Sequence, residues 1–472
     1  MEEINKNEPQ ITKRQQTAIL ATMIIIAFIT TFTASAVNLA IPGISIEFNS
    51  KATVTGWIIT TYILVTAMLA VPFGRIADLT GRRRLFILGV FFFMVFSFLA
   101  AFATSIEMLI VTRVIIGIAG AMIFATNTAI LVTSFPREQT GKVLGLSVMF
   151  TYIGLSLGPV VGGIITHNLG WRSIFYITAF VTLIALIIAW IGIPKKISNK
   201  ASQVPITLKE VNPLGILLYA VMIFALIFGF TETSVSLYGW GIVVFGIILL
   251  FVFIRHEMKT ERPILELRLF KNNPNFIFSN LASLLNYGAT FAVSYLLSIY
   301  LQIIVGYDAQ VAGFILISQP ILQAIVSPIA GRMSDKYSPF KLASAGMGLC
   351  AIGLFSYIFV DANTPLIHII INMVIMGVGF GLFSSPNSNA IMSSVAPKDS
   401  SVASSMMATM RSLGHVISMS IITLIISAHL GDSTFEQAPN DEIIATMRTG
   451  FIVFTVICII GVVCSMQRKT EK

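Results

Sequence analysis

Long runs of apolar residues alternate with short polar segments along the whole chain. A helix needs about 20 predominantly apolar residues to cross the hydrocarbon core of a bilayer, and windows of ~19 residues find such runs repeatedly. The pattern predicts fourteen membrane-spanning helices, at 17–42, 54–74, 85–104, 108–134, 142–166, 173–193, 213–230, 239–254, 276–303, 311–331, 340–360, 366–394, 400–428 and 447–466. No small-residue cleavage site follows the first run, which predicts a retained helix rather than a signal peptide.

The composition agrees with this pattern. Of the 472 residues, 56% are hydrophobic and 11% are charged, whereas an ordinary soluble domain carries about 25% charged residues. So little charge cannot cover a water-exposed surface, which excludes a soluble enzyme, a disordered chain and a disulfide-stapled secreted domain. The cysteines Cys350, Cys458 and Cys464 all lie in apolar runs, so we expect no disulfide framework, no metal site and no cofactor.

The basic residues predict the orientation in the membrane. With the N-terminus placed inside, 25 of the 30 Lys and Arg residues fall in inside segments, and only Lys51, Arg172 and Arg448 fall outside. This bias is what the positive-inside rule requires. An even number of spans then places both termini in the cytoplasm, with the chain in the cell membrane. The net charge of +9 is spread over short loops, so we expect no nucleic-acid partner.

The acidic residues avoid the predicted membrane interior. Twelve of the 21 Asp and Glu residues fall in inside segments, and nine fall outside or at the outer boundary. The sequence therefore predicts a transmembrane interior without a deep carboxylate.

An internal repeat predicts two related halves. The segment 74–78 (Gly-Arg-Ile-Ala-Asp) recurs as 331–335 (Gly-Arg-Met-Ser-Asp), each directly after a predicted span. A repeat at this distance indicates a duplicated bundle. We expect one six-helix bundle at 1–193 and another at 276–472. Between them, 194–275 carries cytoplasmic loops and two linker helices without a direct part in transport.

The loop after the second span carries the first functional signature. Gly74 and Gly81 permit a tight turn, and Asp78 can pair with an arginine such as Arg82 as a latch. A positive-inside loop explains the arginines but not the acid and the glycines. The segment resembles the signature loop between helices 2 and 3 of the major facilitator superfamily. By the same resemblance, Asp335 belongs to the corresponding loop of the second half.

Further motifs resemble the 14-helix drug:proton antiporters of that superfamily over nearly the whole chain. Residues 109–117, with Arg113, resemble the fourth-helix motif, and 154–163 (Gly-x-x-x-Gly-Pro-x-x-Gly-Gly) resemble the fifth-helix motif associated with antiport. Residues 411–414 (Arg-Ser-Leu-Gly) also fit. The resemblance implies an all-α polytopic fold of two six-helix bundles plus two linker helices, alternating access, and drug export in exchange for protons.

The fifth-helix glycines have two readings. Gly154, Gly158 and Gly162 recur every fourth residue and form a groove for a neighbouring helix, while Pro159 kinks the helix. The pattern is compatible with simple helix packing, and the resemblance implies a role in gating. Arg113 must face polar partners inside the bundle or extend to the outer surface; the resemblance implies a part in proton coupling.

The first helix departs from the family pattern. Thr33 stands where the family carries an intramembrane Asp, which could bind a cationic drug or carry the coupling proton. We therefore expect neutral or anionic amphiphiles rather than lipophilic cations. Proton coupling needs another group, with Asp78 and His415 as candidates. His415 follows Arg411 by four residues on the same helix face, although a histidine here is also compatible with packing.

The substrate path is expected near the bilayer midplane between the halves. Uncharged polar and aromatic side chains suit a polyspecific pocket, although single ones often form hydrogen bonds between helices instead. Gln319 is favoured because Pro320 breaks its helix. The candidates are Thr30, Thr33, Tyr62, Asn127, Tyr152, Asn286, Tyr287, Tyr295, Gln319, Gln323 and Asn387.

The sequence therefore predicts a monomeric exporter of small amphiphilic molecules, driven by protons and embedded in the lipid bilayer. An exporter or facilitator of one endogenous metabolite or lipid is the alternative within transport. A membrane enzyme or sensor on the same fold is less favoured, because the sequence has no phosphate-binding loop, no metal-ligand spacing and no deep acid pair.

Overall fold

The computed structural model describes residues 12–194, 212–232, 238–260, 263–265, 267–270, 273–334, 336–395, 400–431 and 433–468. Fourteen long helices run through these residues, and each overlaps one predicted span. They are α1 Lys13–Phe48, α2 Ala52–Thr80, α3 Arg82–Ala100, α4 Ile106–Ser134, α5 Arg137–Leu169, α6 Arg172–Gly192, α7 Pro213–Glu232, α8 Tyr238–Lys259, α9 Pro274–Ile304, α10 Ala309–Ser334, α11 Pro339–Tyr357, α12 Leu366–Ser393, α13 Ser400–Leu430 and α14 Asn440–Met466.

The lengths of the helices confirm the predicted all-α membrane fold. Within the described ranges, thirteen helices are long and apolar enough to cross a membrane, and the apolar part of α7, Pro213–Gly229, is shorter. Two helices are not continuous. α9 is interrupted after Thr290 and ends in a π-helical turn at Tyr300–Ile304. α10 is broken at Ile317, three residues before Pro320.

Both described ends of the chain lie on one face of the bundle, named here the terminal face. At the start of α1, the Gln16 amide donates to the carbonyl of Ser134 (3.2 Å), where α4 ends. Beyond the end of α14, the Arg468 guanidinium donates to the hydroxyl of Ser279 (3.3 Å), near the start of α9. The opposite face is named the distal face. Which face lies in the cytoplasm stays a prediction.

The helices pack as two groups. In the first half (α1–α6), α1 packs against α5 and α6, and α4 packs between α2 and α3. In the second half (α9–α14), α9 packs against α13 and α14, and α12 packs against α10 and α11. The halves meet where α5 contacts α10 and where α2 contacts α13. The domain boundaries at residues 193 and 275 stay a prediction.

The linker pair α7–α8 lies against both halves, because α7 contacts α2 and α13. The Tyr219 hydroxyl donates to the carbonyl of Ala67 (3.4 Å), and the rings of Phe228 and Trp57 lie 6.2 Å apart. At the terminal face, the buried Glu257 carboxylate accepts from the Asn212 amide (2.9 Å) and from the backbone N–H of Leu265 (3.0 Å). These bonds tie the pair to the segment that leads into α9.

Candidate transport pathway

The fifth-helix glycines pack α5 directly onto α1. A Cβ atom on Gly158 would lie 2.5 Å from the Cβ of Ser35, and one on Gly162 would lie 2.6 Å from the Cβ of Ala36. A Cβ on Gly154 would lie 2.5 Å from the carbonyl oxygen of Phe28. Carbon atoms in contact are ordinarily 3.5–4.0 Å apart, so only glycine allows this approach. These three residues therefore make a packing seam within the first half, and their gating role stays a prediction.

The other side of α5 meets the second half. A Cβ on Gly313 of α10 would lie 2.8 Å from the carbonyl carbon of Pro159 and would also meet its oxygen. A Cβ on Gly163 would meet the carbonyl oxygen of Ala309. The two backbones touch here without side chains between them, so the halves fit together closely at this seam.

More contacts between the halves lie toward the distal face. The Ser298 hydroxyl of α9 donates to the carbonyl of Asn38 in α1 (3.0 Å). The Ala52 N–H, at the start of α2, donates to the carbonyl of Ser433 (3.0 Å), just beyond α13. Together with the α5–α10 seam, these contacts hold the halves together between the midplane and the distal face.

Near the middle of the bundle, polar side chains from four helices converge. The Tyr152 hydroxyl of α5 lies 3.0 Å from the Ser384 hydroxyl of α12. The Tyr287 hydroxyl of α9 faces Ser384 and the Arg411 guanidinium of α13. One turn further along α13, the ring of His415 stacks on Phe291, with centroids 4.2 Å apart and planes at 26°. The structure thus brings together four predicted candidates, Tyr152, Tyr287, Arg411 and His415.

Arg411 is exposed although it lies well inside a membrane helix. It follows Ser400, the first residue of α13, by eleven residues, a distance of roughly 16 Å at 1.5 Å per residue. An exposed guanidinium at this depth needs a water-accessible space rather than lipid.

In the helices that the structure describes, the acidic residues belong to the helix ends rather than to the middle of the bundle. Every Asp and Glu in the fourteen helices lies within two residues of a helix end, and α9, α10, α11, α12 and α13 contain none. At the distal face, Glu47 pairs with Arg172 (2.6 Å) and accepts from the indole N–H of Trp171 (2.7 Å). Arg113 and Arg411 therefore supply positive charge to a helical interior without mid-helix carboxylates. Across the described residues, no group of His, Cys, Asp and Glu is arranged to hold a metal ion.

Arg113 lies inside the first half. It is 1% exposed, its Nε donates to the carbonyl of Ile58 (2.9 Å), and its guanidinium lies 4.5 Å from the centre of the Tyr62 ring. This arrangement fits the predicted interior position of Arg113 and not an extension to the surface. Tyr62 is buried beneath it.

The predicted first-helix candidates point into the first half. The Thr33 hydroxyl donates to the carbonyl of Ile29 (2.7 Å) and lies 2.8 Å from the Thr178 hydroxyl of α6. The Thr30 hydroxyl donates to the carbonyl of Ile26 (2.8 Å). Both threonines are 2% exposed, and the structure does not bring them to the Arg411 junction.

Asn387 belongs to a separate network at the terminal end of the second half. Its amide donates to the Ser283 hydroxyl (2.9 Å), and its carbonyl oxygen accepts from Arg468 (2.6 Å). The Arg468 guanidinium is 6% exposed and lies 5.3 Å from the centre of the Phe340 ring. Sequence reasoning missed Arg468, because an arginine after the last apolar run looks like an ordinary inside charge.

The remaining candidates are dispersed. Gln319 lies directly after the break in α10, Tyr295 turns its hydroxyl toward Gly56 of α2, and Gln323 is buried in α10. In the described part of the structure, Asn127, Asn286, Tyr295 and Gln319 each keep a buried side-chain atom without a hydrogen-bond partner. Arg82 is half-buried at the start of α3. Asp335 and the side chain of Asp78 lie outside what the structure describes.

Comparisons with known proteins agree with this architecture. A sequence model described as "Major Facilitator Superfamily" matches residues 23–278 and 279–471. The riboflavin transporter RibZ of Clostridioides difficile is 30% identical over 465 residues, which cover 97% of this chain and 99% of RibZ. The multidrug efflux pump LfrA of Mycolicibacterium smegmatis is 26% identical, over 82% of this chain and 76% of LfrA.

A solved structure shares the fold. A bacterial homologue of the human lysosomal transporter Spinster, in an inward-facing and unoccupied conformation, superposes with a TM-score of 0.69 at 13% identity. The superposition covers 98% of this chain and 100% of that one.

Proposed function

Because the chain belongs to the Major Facilitator Superfamily, and is thus a multi-pass membrane transporter of small molecules, we propose that it exports hydrophobic or amphiphilic compounds in exchange for protons. The export direction is inferred from the fifth-helix motif, which resembles that of the antiporters, and the similarity to the efflux pump LfrA supports this direction. The bias of Lys and Arg supports a cytoplasmic terminal face and a cell-membrane location.

The proposed charge of the substrate rests on the charged side chains inside the bundle. Arg411 is exposed at the junction of the two halves, and all helix carboxylates lie at helix ends. A lipophilic cation would meet a guanidinium there and no neutralising carboxylate. Neutral and anionic amphiphiles avoid this repulsion, and an anion gains from it.

A resistance panel tests the substrate class. The chain is expressed in an efflux-deficient bacterial host, and growth is scored against quaternary ammonium dyes and against neutral and anionic amphiphilic antibiotics. We expect protection against the second group and little against the first. Strong protection against quaternary ammonium dyes would refute the proposed class, and a protonophore should abolish whatever protection is seen.

His415 is the proposed proton-carrying group within the membrane. It lies at mid-helix depth, one turn from Arg411 and against the Tyr287 ring, and an imidazole can bind and release a proton. His415→Ala should flatten the pH dependence of transport in proteoliposomes. His429→Ala is the matched control, because His429 lies at the distal end of the same helix, 3.2 Å from the Thr449 hydroxyl. An unchanged pH profile in His415→Ala would rule this group out.

A transporter of one metabolite is the second candidate function. The similarity to RibZ, named a riboflavin transporter, extends over nearly the full length of both chains. Uptake and efflux of radiolabelled riboflavin in proteoliposomes distinguish the two. Saturable riboflavin flux that drugs do not inhibit would favour this second function.

A further inference from the structure

Aromatic and cationic side chains of the second half gather at mid-helix depth, at the junction with the first half. They are Tyr287, Phe291, Phe380, Arg411 and His415, named here the aromatic-cationic cluster. We propose that this cluster binds aromatic anions, with the flat ring on the aromatic side chains and the acidic group on Arg411. This substrate class deepens the proposed function and rests on it.

The rings form a stepped surface. His415 stacks on Phe291, and Tyr287 meets the His415 ring edge-on, with centroids 5.2 Å apart and planes at 81°. Tyr287 also meets Phe380 edge-on at 5.2 Å. As whole residues, Tyr287, Phe291 and His415 are each only half-buried. Flat ligands stack on such faces at ring separations like those already present.

Close helix packing holds the cluster in place. A Cβ on Gly414 of α13 would lie 2.7 Å from the carbonyl oxygen of Leu284 and 3.0 Å from the backbone nitrogen of Gly288, both in α9. Arg411 and His415 flank Gly414 along α13. The direct contact of the two backbones therefore holds the turn of α13 that carries Arg411 and His415 beside the turn of α9 that carries Tyr287.

Arg411 supplies the charge that selects an anion. A guanidinium presents paired N–H donors that match both oxygens of a carboxylate. The helices that carry the cluster, α9, α12 and α13, contain no Asp or Glu. A carboxylate ligand would thus provide the cluster with a negative charge that its own helices lack.

The first half closes the site with one hydroxyl group. Tyr152 of α5 lies 3.0 Å from Ser384 of α12, whose hydroxyl also faces Tyr287. A ligand acid group on Arg411 can accept a hydrogen bond from Tyr152 in place of this contact. Binding would then involve both halves, as alternating access requires.

Calorimetry on the full-length protein in lipid nanodiscs tests the proposal with three probes that share one ring system. They are 2-naphthoate (anionic), 2-naphthylmethanol (neutral) and 2-naphthyltrimethylammonium (cationic). We expect 2-naphthoate to bind at least tenfold more tightly than the neutral probe, and the cationic probe to bind most weakly. Equal affinities, or a preference for the cation, would overturn the proposal whatever any variant does.

Four variants assign the preference to the cluster. Arg411→Gln should abolish the preference for 2-naphthoate over 2-naphthylmethanol, and Arg411→Lys should keep part of it. Phe291→Leu should weaken both probes and leave their ratio unchanged. Arg448→Gln is the matched control, since Arg448 is an exposed arginine near the distal end of α14. Full selectivity in Arg411→Gln would contradict the assignment.

Two further measurements keep the outcomes separate. If a variant unfolds, the salt dependence of binding to the parent protein tests the role of Arg411 instead. Raising sodium chloride to 0.5 M should weaken the binding of 2-naphthoate more than the binding of the neutral probe, and equal weakening of both counts against Arg411. Flux in proteoliposomes is measured in parallel. Transport of neutral amphiphiles without anion-selective binding refutes only the cluster, and anion-selective binding without any flux refutes only the exporter.

Discussion

The backbone contact between Gly313 and Pro159 makes a sharp prediction about alternating access. In Gly313→Ala, the new Cβ would lie 2.8 Å from the carbonyl carbon of Pro159, whereas carbon contacts ordinarily measure 3.5–4.0 Å. The α5–α10 seam must then open by roughly 1 Å. Overpacking of this kind costs about 1–3 kcal/mol, and the cost applies only when the halves are closed at the distal face.

This cost changes the equilibrium between the distal-closed and distal-open states more than it changes the free energy of unfolding. A penalty of about 1–3 kcal/mol on one state changes the ratio of the two states by roughly 5- to 150-fold. The gain in helix propensity from alanine, about 1 kcal/mol, applies to both states and cancels. Gly313→Ala should therefore populate the distal-open state and slow transport, with little change in thermal stability.

Pulsed electron–electron double resonance, which measures the distance between two spin labels, detects this shift. Spin labels are placed at Thr104→Cys in the first half and Asn363→Cys in the second, both exposed at the distal face, after Cys350, Cys458 and Cys464 have been changed to alanine. The label distance should lengthen in Gly313→Ala. Gly348→Ala is the control, because its Cβ would meet nothing within 4 Å. Identical distance distributions in the parent and in Gly313→Ala would refute the steric reasoning.

Three further predictions concern stability, measured as thermal or denaturant unfolding of the purified protein. Arg113→Lys keeps the charge but loses the Nε hydrogen bond to Ile58 and the stacking on Tyr62, and should cost about 1.5–3 kcal/mol; an unchanged midpoint would contradict the interior position. Burial lowers the pKa of Arg468 to about 10, so its guanidinium stays protonated at neutral pH. Arg468→Met should lower the free energy of unfolding by about 1–3 kcal/mol, because it leaves the Asn387 carbonyl oxygen without its donor. Lys336→Met is the control and should cost little, because Lys336 is exposed. Glu47→Gln should cost under about 1 kcal/mol, because the Arg172 pair is partly exposed and screened by salt and the amide oxygen of glutamine can still accept from the Trp171 indole; a larger loss would contradict the small contribution of the ion pair.

Hydropathy predicted the helices because a segment that crosses lipid must be a long apolar run. The predicted helix ends were less accurate where a helix extends beyond the membrane. The twelfth span, predicted at 366–394, is observed at Leu366–Ser393. The fifth was predicted at 142–166, yet α5 covers Arg137–Leu169, because polar residues beyond the membrane can continue a helix. The interruption of α9 after Thr290 has no signature in composition.

Spacing predicted which residues share a helix face, and it could not identify their neighbours. The four-residue repeat of glycines predicted a close-packed groove, and α1 is revealed as its partner only in three dimensions. Thr33 shares a face with Thr30, but that face meets Thr178 of α6 rather than the other half. Arg411 and His415 were noticed because charge in an apolar run stands out, whereas the stacking of Phe291 on His415 depends on contacts between α9 and α13.

The two lateral flanks of the bundle are unequal toward the surrounding lipid. On one flank α7 lies over the line where α2 meets α13, while on the other α5 and α10 touch through bare backbone at Gly313 and Gly163. On the α7 flank, α7 lies between the bilayer and the contact of α2 with α13, so a hydrophobic compound dissolved in the bilayer meets this helix first. Within the described ranges, the α5–α10 flank carries no such covering helix and is closed by the contact of the two backbones alone, so the two flanks differ in what a compound dissolved in the bilayer meets before it reaches the space between the halves.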